Sequence, residues 1–125
     1  MSKVLLSHTI KSKENMEDKK DIKGFIKDNV LTYKYDDNKI VLDLSNNDCI
    51  SFKKEDKDSI LNITFDINTF KKSEYIFTDI NKKLIINCIT KKIIKKEKYM
   101  HIEYDLYISG EYSDSFTYEL EWRDL

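Results

Sequence analysis

The sequence predicts an all-β fold, an antiparallel up-and-down barrel of about eight to ten strands, and three features carry the prediction. Apolar and polar residues alternate with period two along most of the chain. Ile, Tyr and Phe dominate the apolar set and alanine is absent, a composition that suits a pleated surface and is rare in helical proteins. The alternating runs are short and recur every 8 to 12 residues or so with polar turns between them, the spacing of an antiparallel sandwich or barrel. Closure is favoured because a meander of this many strands otherwise keeps exposed edges.

The elements follow in order. Val4 to Lys11 opens the series with Val4, Leu6, His8 and Ile10 on one face. The charged stretch Ser12 to Asp21 is expected to be a loop with room for one helical turn. Ile22 to Asp28, Val30 to Tyr35 and Lys39 to Leu44 read as strands, Cys49 to Lys53 as a short one, and Lys54 to Asp58 as a solvated turn. Ile60 to Asp66 places Leu61, Ile63 and Phe65 on one side, and Tyr75 to Thr78 pairs with Leu84 to Thr90. The terminal hairpin is clearest. Met100, Ile102, Tyr104, Leu106 and Ile108 alternate up to Ser109-Gly110-Glu111, and Phe116, Tyr118, Leu120 and Trp122 resume the pattern beyond it. Proline is absent and glycine occurs only at 24 and 110. The turns therefore fall to Asn and Asp, which tolerate positive φ, at Asp36-Asp37-Asn38, Asn46-Asn47-Asp48 and Asn81-Lys82.

Length and charge set the limits. The chain of 125 residues is read as one domain, 1–125, long enough for one real core. Its net charge of −1 provides no global attraction for nucleic acid or anionic membranes. No apolar stretch approaches the roughly 18 residues of a membrane helix, and the apolar N-terminal run is too short for a signal peptide, so a cytoplasmic location is expected. Cys49 and Cys88 lie far apart in apolar runs and read as reduced, buried thiols.

The octet Tyr104-Asp105-Leu106-Tyr107-Ile108-Ser109-Gly110-Glu111, with Phe116 to Leu120 behind it, resembles the closing hairpin of the YwiB-like family of uncharacterised bacterial β-barrel proteins. Lys23-Gly24-Phe25 and Leu31-Thr32-Tyr33-Lys34-Tyr35 are similar to that family's second and third strands. Ile63-Thr64-Phe65, Tyr75-Ile76-Phe77-Thr78 and Leu84-Ile85-Ile86-Asn87 are similar to its central meander. The resemblance implies a lipocalin-like, or calycin-like, barrel and carries no established activity with it. One departure is Asp79-Ile80-Asn81, where the family tends to place Gly; Asn can serve that turn.

Several groups of residues are candidates for function. A barrel of about eight strands either fills its interior or holds one small ligand. The bulky inward candidates are Phe25, Tyr33, Phe65, Phe77, Tyr104, Phe116 and Trp122, and a filled core is their favoured role. If a small apolar or amphipathic ligand is bound, Tyr33, Tyr35, Phe65, Phe77 and Tyr104 are its expected contacts, with tyrosine hydroxyls as polar handles. A dry, fully packed interior with no pocket above roughly 300 Å³ would count decisively against this function. His8 is expected to be a buried, hydrogen-bonded core histidine. His101, Glu103 and Asp105 alternate on an outer face and read as solvated, with no metal. Lys91, Lys92, Lys95, Lys96 and Lys98 form a basic run expected at a hairpin tip. It supports an alternative function, an interaction module working through its surface, although nucleic acid is not the favoured partner. No catalytic motif or phosphate-binding loop is present, no cofactor is expected, and the balance is against an enzyme. Oligomeric state is open.

Overall fold

In the computed structural model, residues 2–68 and 71–125 are described, with backbone alone at 71 and 72. Ten strands run in chain order: β1 (Ser2–Lys11), β2 (Met16–Lys27), β3 (Val30–Tyr35), β4 (Asn38–Asn46), β5 (Cys49–Glu55), β6 (Ser59–Asp66), β7 (Lys71–Phe77), β8 (Lys82–Lys96), β9 (Tyr99–Ile108) and β10 (Glu111–Asp124). Each pairs antiparallel with its sequence neighbours. The first strand also pairs with the last, from Val4 opposite Asp124 to Lys11 opposite Thr117, so the sheet closes into a barrel and has no edge.

The connections are tight because the residues in them accept left-handed backbone. Asp28 and Asn29 both have positive φ (52° and 65°) between β2 and β3, the geometry of a two-residue turn whose twist matches its strands. Asp36, Asn81 and Lys98 also have positive φ, and Gly110 sits at 83° in the terminal hairpin. Asn46 caps its turn by accepting the Asp48 N–H at 2.9 Å.

Alternation sends one face of each strand inward. Val4 and Leu6 of β1, Leu31 and Tyr33 of β3, Ile40 and Leu42 of β4, and Met100 and Ile102 of β9 are all essentially inaccessible. Trp122, 9% exposed, stands opposite Leu6 near one end of the barrel. Gly24 is needed where β2 meets β3: a Cβ there would lie 2.8 Å from the Thr32 carbonyl oxygen and 3.1 Å from both Leu6 Cδ2 and Tyr33 Cβ.

Several expectations are corrected. Ser12 to Asp21 is not a loop throughout, because β2 begins at Met16. A bulge hid it: Leu6 faces Ile22 but His8 faces Lys19, and Asp21 takes φ 57° between them. The inner face therefore passes from Glu17 and Lys19 to Ile22 with a three-residue step, which breaks the period-two signal. Phe25 points outward and is 40% exposed. Lys54 is not in a turn but continues β5. The basic run is not a hairpin tip as a whole. Lys91 to Lys96 belong to β8, and the turn is Glu97-Lys98. Cys88 is buried, but Cys49 is only half-buried.

Candidate functional site

The ten-strand circumference leaves more interior than an eight-strand barrel needs to fill with side chains, and the two ends use it differently. Around Val4, Leu44, Ile50, Phe65 and Trp122 the apolar side chains pack into one buried cluster. Toward the opposite end, where β1, β3, β5, β7 and β9 finish, the interior opens into a cavity of about 280 Å³. Ile10, Phe52, Leu61, Tyr104, Leu106 and Phe116 contribute to its largely apolar wall, and Lys54 and Ser113 contribute polar groups. Phe116 stacks on Tyr104 with ring centroids 5.4 Å apart, and Tyr104 leans on Phe65 at 4.6 Å. The aromatic layer thus joins the cavity to the packed end.

Beside the cavity lies a polar chain, buried at His8, Tyr33 and Tyr118 and half-exposed at Glu17. Glu17 Oε1 contacts His8 Nε2 at 2.7 Å and accepts the Tyr35 hydroxyl at 2.9 Å. His8 Nδ1 is 2.8 Å from the Tyr33 hydroxyl, which is 2.5 Å from that of Tyr118. A carboxylate only accepts, so Nε2 of neutral His8 carries the proton and Nδ1 accepts from Tyr33. Tyr33, its proton spent on Nδ1, accepts from Tyr118. Each donor is used once.

Burial lowers the pKa of His8, and the Glu17 hydrogen bond opposes that effect without cancelling it. Glu17 is itself penalised by burial, yet the hydrogen bonds from His8 and Tyr35 prevail and hold its carboxyl below its ordinary range. Burial first, and then the neighbouring hydroxyl and carboxylate, push Tyr33 well up, and burial likewise raises Tyr35 and Tyr118. A network of this kind holds a single arrangement of side chains.

The residues expected to contact a ligand are dispersed. Among the described residues, Tyr104 is the one of the five that lines the cavity. Tyr33 and Tyr35 spend their hydroxyls on the polar chain. Phe65 is fully buried, and Phe77 stacks on Tyr75, a wall residue, at 4.7 Å. Glu17, Lys54 and Tyr118 were missed as site residues. The alternation Ile50-Phe52-Lys54 could have revealed an inward lysine; the bulge concealed Glu17.

Outside the barrel, His101 bridges Glu103 (2.8 Å) and Glu119 (3.2 Å) on the outer face. Among the described residues no three His, Cys, Asp or Glu side chains converge as metal ligands. In the basic run, Lys91 pairs with Asp105 at 3.1 Å and Lys98 with Asp124 at 3.0 Å. No helix among the described residues is long and apolar enough to cross a membrane.

These features define a closed ten-stranded antiparallel barrel, packed at one end and open at the other. No protein-family model and no curated protein matches the chain. The crystal structure of the YwiB protein from Bacillus subtilis does match, with a TM-score of 0.56 and 14% identity over 95% of this chain and 89% of that one. At that identity the likeness is one of fold.

Proposed function

We propose that the protein binds a small, mainly apolar molecule in the open end of its barrel, in the manner of lipocalin-like proteins. The observation that carries this reading is the asymmetry of the interior. One core cluster runs along the barrel from Val4, Leu44 and Trp122 to Phe52 and Tyr104, and at the latter end it leaves a cavity walled by Ile10, Phe52, Leu61 and Phe116. Its volume of about 280 Å³ lies below the roughly 300 Å³ limit set from the sequence; the interior is not filled, but the volume half of that limit counts against any ligand of ordinary size. The ligand is therefore small, on the order of ten non-hydrogen atoms if each takes about the volume of a water molecule.

The test has two parts. Native mass spectrometry of freshly purified protein looks for a co-purifying small molecule. Titration with 1-octanol, followed by methyl NMR, should shift Ile10, Leu61, Ile86 and Leu106 and leave Leu44 and Ile50 at the packed end unmoved. Leu61→Trp, which fills the cavity, should abolish those shifts. No response to octanol, or a response spread over the whole barrel, overturns the reading.

A further inference from the structure

Resting on that ligand-binding reading, we infer that the molecule taken up carries one negative charge: a short amphipathic anion whose head group meets Lys54. Alternation along β5 buries Ile50 and Phe52 and then turns Lys54 to the same inner face, where its half-buried side chain forms part of the cavity wall. A lysine beside Ile10, Leu61 and Phe116 is costly unless its charge is balanced.

The protein balances that charge only at a distance. Lys19, Lys83, Lys91 and Lys98 each hold a carboxylate within 3.1 Å. Among the described residues Lys54 makes no such pair. The charged and titratable groups that sense it are Glu17, His8 and Asp56. Neither carboxylate pairs with Lys54, although Glu17 spends only Oε1 on its hydrogen bonds. Glu17 accepts from His8 and Tyr35, and Asp56 accepts from the Asp58 and Ser59 backbone and the Ser59 hydroxyl.

A second polar group in the same wall is also unspent. Tyr104 is 6% exposed, and its hydroxyl has no hydrogen-bond partner among the described residues. An apolar space with one unpaired ammonium and one free hydroxyl fits an alkyl or aryl carboxylate. A neutral molecule leaves Lys54 balanced only at a distance by Glu17 and Asp56, and a cation is repelled by it.

The experiment compares octanoate, 1-octanol and octylamine on the full chain near pH 7 (about neutral) at low salt, read by methyl shifts and calorimetry. Octanoate should bind about tenfold tighter than octanol, and octylamine weakest. Lys54→Met, which keeps the stem and removes the charge, should bring octanoate down to the level of octanol, whereas Lys54→Arg should keep the preference. Should Lys54→Met fail to fold, salt on the native protein is the second measure: the octanoate preference should shrink between about 20 mM and about 500 mM NaCl. Octanol binding as tightly as octanoate, or a preference that survives Lys54→Met, overturns the head-group assignment and leaves the cavity reading standing. If none of the three binds, the cavity reading fails and takes this inference with it.

Discussion

The hydroxyls of Tyr33 and Tyr118 lie 2.5 Å apart in the centre of the barrel, joined across 85 positions of sequence and both shut off from solvent. Together with His8 and Glu17 they form one directed hydrogen-bond chain, so the worth of each hydroxyl depends on its place in that chain.

Tyr33→Phe should destabilise the protein more than Tyr118→Phe. Losing the Tyr33 hydroxyl leaves two buried groups unpaired, His8 Nδ1 and the Tyr118 O–H, at about 1–3 kcal/mol each. Losing the Tyr118 hydroxyl removes a donor from Tyr33 and leaves the His8 contact intact, a loss of about 1 kcal/mol. Urea unfolding of the two variants checks the order, and equal losses would contradict the directed chain.

Acid should weaken the fold from about pH 6.5 downward. The folded pKa of His8 lies below its ordinary 6.5, so between the two values the unfolded chain binds the extra proton. Stability is then fully present above 6.5 and is lost as pH falls through the folded value. Glu17 adds a second loss at lower pH, because its folded pKa lies below 4.5. Protonation of Nδ1 also turns the acceptor at the end of the chain into a donor and forces Tyr33 to reverse. Thermal melts from about pH 7.5 to about pH 4 should show the decline, and His8→Leu should flatten its upper part.

The two glycines should differ in cost. Gly24→Ala puts a methyl 2.8 Å from the Thr32 carbonyl oxygen and should destabilise by about 1–3 kcal/mol, since the backbone of a paired strand cannot give way freely. Gly110→Ala meets no atom within 4 Å and pays only for its positive φ, about 1–2 kcal/mol. Greater damage at 110 than at 24 would show that β2 and β3 yield more easily than their pairing implies.

Trp122→Ala should cost about 3–5 kcal/mol, the loss of a large buried aromatic. Trp122 is 9% exposed and sits in the packed end with Leu6 opposite it. Octanol-induced shifts at the far end should persist in this variant if the two ends act separately.

The sequence by itself determined the strands, most turns and most inward faces. Period two is a local property, and it is legible in runs such as Met100 to Ile108, where Met100, Ile102 and Tyr104 are indeed the buried set. The tertiary structure decided the rest. A single bulge at Asp21 changed which residues of β2 face inward and brought Glu17 to His8. Closure of β1 on β10 placed Leu6 against Trp122 and His8 against Leu120, while His8 reaches across β2 to Tyr33 of β3, which is not a neighbouring strand. The cavity depends on how ten inner faces converge, and no single strand specifies how much space is left between them. Alternation sorts side chains within one strand, whereas bulges and cross-barrel packing are set by contacts between strands distant in sequence.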